Sequence, residues 1–124
     1  MKEIRIGAAA WGFRELTLPQ QLDLVRRLGL VSLELGIANS PADVQTDADV
    51  RLLEQVKKEY EAFGISLDTA ATGNDFTLKD GNAAAEDIGK LKRVIDICSF
   101  LGVETLRLLT KKRTQWMRAC VSTV

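Results

Sequence analysis

At 124 residues the chain is long enough for one domain with one modest core, and its 46% apolar and 27% charged residues exclude a disordered composition. Lysine plus arginine balances aspartate plus glutamate at 17 each, so no net field draws the protein to nucleic acid or to an anionic membrane. There is no histidine, which removes imidazole metal ligands, the commonest neutral-pH general base and any Ser–His or Cys–His nucleophile.

The chain opens on Met1-Lys2-Glu3-Ile4-Arg5-Ile6, which alternates charge with apolar side chains rather than forming a cleavable leader. No apolar run approaches the roughly 18 residues of a membrane span, so a cytoplasmic protein without membrane partners is expected. Residues 4–10 predict a first strand that runs into small residues. Thr17, Pro19 and Gln20 then announce a helix: a threonine cap, a proline in the first turn and a glutamine where a capping box needs it. Leu18, Leu22, Val25 and Leu28 give that helix an apolar face, and Gly29 ends it.

The same grammar repeats twice. Residues 30–35 predict a second strand, 37–48 a polar loop, and Leu52, Val56, Tyr60 and Phe63 a second helix closed by Gly64. Residues 65–70 predict a third strand, with a loop beginning at Thr72-Gly73-Asn74-Asp75-Phe76. Ile88, Leu91, Ile95, Cys98 and Leu101 then mark a third helix closed by Gly102. Residues 103–109 complete a fourth strand. Strand and helix alternating with short helix-to-strand turns implies parallel strands joined by right-handed crossovers, buried on both faces. The longer loops follow strands, which places variable polar material at the C-terminal edge of the sheet.

Beyond Leu109 the pattern stops. Residues 110–124 show no helical stripe and no acid, while Arg107, Lys111, Lys112, Arg113 and Arg118 follow Glu104, so an irregular basic tail is expected. Residues 1–109 then form a half-barrel of βα units, and the chain is expected to be cut short by a natural, shifted or non-native end. Cys98, on the third helix, and Cys120, in the tail, are too few for a disulfide framework and are expected to be reduced thiols.

Candidate functional residues gather at strand ends. Glu34, Thr69 and Arg107 each stand fifth after their unit's glycine, and a carboxylate and a guanidinium at a barrel mouth suit sugar hydroxyls or a phosphate. The alternative is that Glu34 and Arg107 pair with each other or with solvent. Trp11, in the loop after the first strand, either walls a ligand or plugs the barrel top. Thr72, Asn74 and Asp75 form either a binding loop or an ordinary Asx turn. Gly7-x-Ala9-x-x-Gly12 followed by Glu34 imitates a dinucleotide fingerprint. However, alanine replaces the middle glycine and the helix begins well past Gly12, so a small nucleotide-binding domain is the weaker alternative.

With these units laid out, the chain resembles the N-terminal half of the xylose-isomerase-like barrel family, which includes sugar (phosphate) isomerases and epimerases and the endonuclease-four group. The resemblance rests on Ile4-Arg5-Ile6-Gly7, on residues 29–35, on Gly64-Ile65-Ser66-Leu67-Asp68 and on residues 102–107. It implies a partial (β/α)8 TIM barrel, an α/β fold with the first four parallel strands and three helices. It also implies aldose–ketose isomerisation or epimerisation by proton transfer in a full-length relative, with a divalent metal held by acids and histidines of the later strands. None of those strands stands in this chain, so no metal and no catalytic residue is assigned here, and the fragment is expected to be inactive alone. Glu34 and Arg107, with Trp11 a weaker match, fall where family members line the substrate pocket. Endonuclease-type members use early-strand histidines, which this chain lacks, so a nucleic-acid role is not expected. A different class of function also remains: a non-catalytic half-barrel that binds or self-assembles, for example as a homodimer through its exposed edges.

Overall fold

The computed structural model describes residues 3–74 and 80–108. Four strands alternate with three α-helices: β1 (Gly7–Ala9), α1 (Leu18–Arg27), β2 (Ser32–Ile37), α2 (Val50–Phe63), β3 (Thr69–Thr72), α3 (Gly81–Leu101) and β4 (Thr105–Arg107). A 3-10 turn, Ala10–Phe13, follows β1. The strands pair in parallel and in chain order, β1-β2-β3-β4. The α/β class, the four parallel strands and the three helices agree with the sequence. The expected tail at 110–124, Cys120, and Asp75 and Phe76 of the third loop lie outside the described residues.

Local chemistry explains the helix boundaries. At the start of α1 the Thr17 amide donates to Gln20 Oε1 at 3.0 Å, and the Gln20 amide donates back to Thr17 Oγ1 at 3.4 Å, so two otherwise orphaned donors are satisfied. Asp49 and Asp80 cap α2 and α3 in the same spirit. All three helices end alike. Gly29, Gly64 and Gly102 sit at φ of +75°, +67° and +75°, a region that costs any residue with a Cβ. Each glycine amide bonds the carbonyl three residues back, and the next amide reaches five back: Leu30 to Val25, Ile65 to Tyr60 and Val103 to Cys98, at 3.1, 3.1 and 2.9 Å. This is the Schellman closure.

That closure also corrects the expected strand starts. Leu30, Ile65 and Val103 belong to the helix ends, so β2, β3 and β4 begin later, at Ser32, Thr69 and Thr105. Leading into β3 the ladder carries one extra residue. Ser32 bridges Ser66 while Leu35 pairs with Ala70, so two residues of β2 face three of the other strand. At that point the amides of both Glu104 and Thr105 reach the one carbonyl of Asp68, at 3.1 and 3.2 Å.

The three helices form one layer, α1 against α2 and α2 against α3. Beneath them Leu33, Leu35, Ile37 and Ala70 join Leu22, Val25, Val56, Tyr60, Val94 and Leu101 in a single core. The Tyr60 hydroxyl donates to the Leu33 carbonyl at 2.9 Å and ties α2 to β2. Burial pushes its pKa well above the usual phenol value, and the Asp68 and Glu34 carboxylates push the same way. Cys98 is a buried free thiol on α3, its pKa raised by burial.

Two further expectations are corrected. Among the described residues the helix layer covers one face of the sheet, not both. On that face the buried stripe of α3 is Val94, Ile97, Cys98 and Leu101, whereas Ile88 and Ile95 are about half exposed. Leu28, just past the end of α1, and Leu52 likewise stand out of the core, and on α2 Leu53 takes the inward position. Among the described residues no helix is long and apolar enough to cross a membrane.

Candidate functional site

Successive residues of a strand point to opposite faces, and residues paired across a parallel ladder share a face. Leu33, Leu35 and Ile37 point to the helices, so Ser32, Glu34 and Gly36 point away, joined by Gly7 and Ala9 of β1, Thr69 and Ala71 of β3, and Thr105 and Arg107 of β4. This second face is built from small and polar side chains.

Glu34 and Arg107 meet on it. Arg107 Nε donates to Glu34 Oε2 at 3.3 Å and Nη2 donates to Oε1 at 3.1 Å, a forked pair whose side chains are 51% (Arg107) and 19% (Glu34) exposed. Their strands are not neighbours, since β3 runs between them, and two ladder spacings amount to about 10 Å. The pair bridges that distance because Ala71 stands opposite Arg107 in the register and leaves the space above β3 free. The carboxylate, by hydrogen bonding, holds the Arg107 pKa above its ordinary value. A second cross-strand pair lies nearer the N-terminal edge: Arg5 Nη1 is 3.4 Å from Asp68 Oδ2, and Nη2 donates to Ser66 Oγ at 3.1 Å.

The other expected site residues are distributed as follows. Thr69 shares the face with Glu34 and Arg107 and is partly exposed. Its register partner is Thr105, so Arg107 lies two residues further along the sheet than the count from the glycines implies. Trp11 occupies the 3-10 turn, 47% exposed, with the Arg14 guanidinium stacked 4.5 Å from its ring centroid and Arg14 Nη1 donating to the Trp11 carbonyl at 3.0 Å. No hydrogen bond or ion pair among the described residues links Trp11 to Glu34 or Arg107. Asn74 is partly buried just past the end of β3.

The loop after β2 is organised by a residue the sequence did not single out. The Asp43 carboxylate accepts the amides of Asn39 and Ser40, at 3.0 and 2.8 Å, and its atoms occupy the place a Cβ on Gly36 would need. Glycine at 36 is therefore required by close approach. Between this loop and the first turns of α3 lies a pocket of about 240 Å³ lined by Gln45, Thr46, Thr72, Gly73 and Lys90, among others. It opens on the helix side of the sheet, away from Glu34 and Arg107.

The donor set does not fit the divalent metal that the resemblance implies. The chain has no histidine, and no group of three or more His, Cys, Asp or Glu among the described residues is placed to hold a metal ion. The Gly7-x-Ala9-x-x-Gly12 segment is not followed directly by a helix either: Gly12 sits in the 3-10 turn, and α1 starts at Leu18 with Thr17 on its first amides. What the site can do is present a forked cation and a carboxylate side by side on an accessible sheet face. Compared with known proteins, the chain matches no family model and no curated protein sequence.

Proposed function

We propose that this sheet is one wall of a (β/α)8-type barrel, that its helix-free face lines the interior, and that the Glu34–Arg107 pair contacts a sugar or sugar phosphate in a protein of the isomerase/epimerase kind. The observation that carries this reading is the forked pair spanning β2 to β4 over Ala71 on the face away from the helices. Chain-order parallel pairing, with the helices of the described residues on one side, supports the barrel reading. A doubly wound nucleotide fold reverses strand order and covers both faces, so the nucleotide alternative gains no support. In this reading Arg107 donates to substrate oxygens and Glu34 accepts from substrate hydroxyls. The base and the electrophile that enolisation requires are not assigned to these residues. Calorimetric titration with a panel of pentoses, hexoses and their phosphates tests it. Glu34→Ala and Arg107→Ala are expected to weaken binding at least tenfold while leaving the melting temperature within a few degrees. Normal binding by both variants would end the assignment.

A second reading, a non-catalytic module that assembles with another copy, is favoured by the two ends of the helix layer. Internally, Arg26 of α1 stacks on Phe63 of α2 at 4.9 Å, and Lys57 of α2 on Phe100 of α3 at 5.5 Å. Leu28, placed before Gly29 as Phe63 is before Gly64, is 59% exposed, and Ile4 and Ile6 ahead of β1 and Ile88 and Ile95 on α3 are also exposed. Light scattering on the eluting chain separates the readings: a tidy dimer of twice 13.7 kDa supports assembly and a monodisperse monomer rejects it.

A further inference from the structure

We infer that the ligand of the Glu34–Arg107 face is an uncharged polyol, a sugar without phosphate or carboxylate, with one hydroxyl accepting from the Arg107 fork and an adjacent hydroxyl donating to Glu34. This rests on the sugar reading of the site and narrows it to one chemical class.

Arg107 does not stand alone on its face, because a carboxylate oxygen lies 3.1 Å from Nη2 and another 3.3 Å from Nε. Arg5, a second arginine on this side of the sheet among the described residues, lies 3.4 Å from the Asp68 carboxylate. Each cation therefore arrives with its own anion, and the Asp43 carboxylate, seated over Gly36 on the same face, adds a further negative charge. An incoming phosphate would take the outer edge of the guanidinium at the cost of lying beside the Glu34 carboxylate, and like charges at that range repel. A hydroxyl meets no such conflict, since it both donates and accepts. Two hydroxyls on neighbouring carbons match a guanidinium N–H and a carboxylate oxygen held side by side.

The surroundings point the same way. Ala9 and Ala71 keep the face low around the pair, and Thr69 and Thr105 add neutral hydroxyls in register with each other. Arg107 gives two of its five N–H groups to Glu34, and its side chain is half exposed, so the rest of the fork faces the open side of the sheet. Glu34 is the less exposed partner and fixes the direction of the fork; it acts here as a positioning residue as well as an acceptor.

The test compares one aldopentose with its 5-phosphate on the 124-residue chain, by calorimetry at two ionic strengths. The wild type is expected to bind the neutral sugar about tenfold more tightly than the phosphate, with little dependence on salt. Glu34→Gln keeps the shape and removes the negative charge, so it is expected to reverse that preference, which a merely structural role for Glu34 would not do. Arg107→Lys loses the fork and is expected to weaken both ligands. A wild type that prefers the phosphate, or a Glu34→Gln variant with an unchanged ratio and a native circular dichroism spectrum, overturns the inference while leaving the sugar reading intact. Binding of neither ligand overturns both.

Discussion

The two faces of the sheet are made from the same strands and behave as different materials. On the helix side Leu33, Ile37 and Ala70 are wholly buried and Leu35 nearly so, held by a packed layer in which the Tyr60 hydroxyl is satisfied by the Leu33 carbonyl. On the other side Ser32, Glu34, Thr69 and Arg107 are partly or largely exposed, and the Glu34–Arg107 ion pair reaches over an intervening strand. Burial supplies the stability of the first face, whereas exposed ion pairs are worth little. Side chains on the second face are therefore free to be chosen for what they contact.

That contrast is most easily broken from the helix side. Leu33→Ala is expected to cost about 3 kcal/mol in denaturant unfolding, because a core cavity opens at the centre of the sheet. Tyr60→Phe removes the donor to the Leu33 carbonyl and is expected to cost about 1–2 kcal/mol, measured the same way. Gly102→Ala is expected to cost about 1 kcal/mol, since it forces a Cβ onto φ +75° although no atom crowds the site. On the open face, Glu34→Gln is expected to change stability by less than about 1 kcal/mol, given the solvent around Arg107. A loss as large as that of Leu33→Ala would mean that the pair is structural.

The smallest expected effect is a surface control. Asp23 on α1 has its pKa held below the ordinary 3.8 by hydrogen bonds from Arg27 and then Arg26. A depressed carboxyl contributes stability above its unfolded value and loses it as pH falls through the folded one. Below pH 3.8 the wild type should therefore lose stability slightly faster than Asp23→Asn, as followed by acid titration of the melting temperature.

Much of the fold was legible because its punctuation is chemical. Thr17 with Gln20 and the three glycines mark helix ends by satisfying amides and by permitting positive φ, and both are local requirements. The strand starts were less legible, since Leu30, Ile65 and Val103 look like strand residues but serve the helix closures. The stripe of α3 was misplaced for a related reason. Ile88, Leu91 and Ile95 fit a helical period as well as Leu91, Val94 and Cys98 do, and only the packing of α2 and the sheet chooses between them. At the site, Glu34 and Arg107 could be singled out and their pairing with each other stood as one alternative, which the structure shows, but the geometry of that meeting could not be read. It depends on the extra residue near Asp68, on the register that sets Arg107 opposite Ala71, and on a small side chain at 71. The Asp43 clamp on Gly36 gave no sequence signal beyond an aspartate in a polar loop.

The claim that the helix-free face is the ligand-bearing one is tested most directly by nuclear magnetic resonance, titrating the labelled chain with a neutral aldopentose. The account predicts shifts at the Arg107 Nε–H and at the amides of Glu34, Thr69 and Ala71, with Leu22, Val25 and Val94 unmoved. Shifts confined to the pocket around Thr46 and Lys90, with Arg107 Nε–H unchanged at saturation, would contradict it.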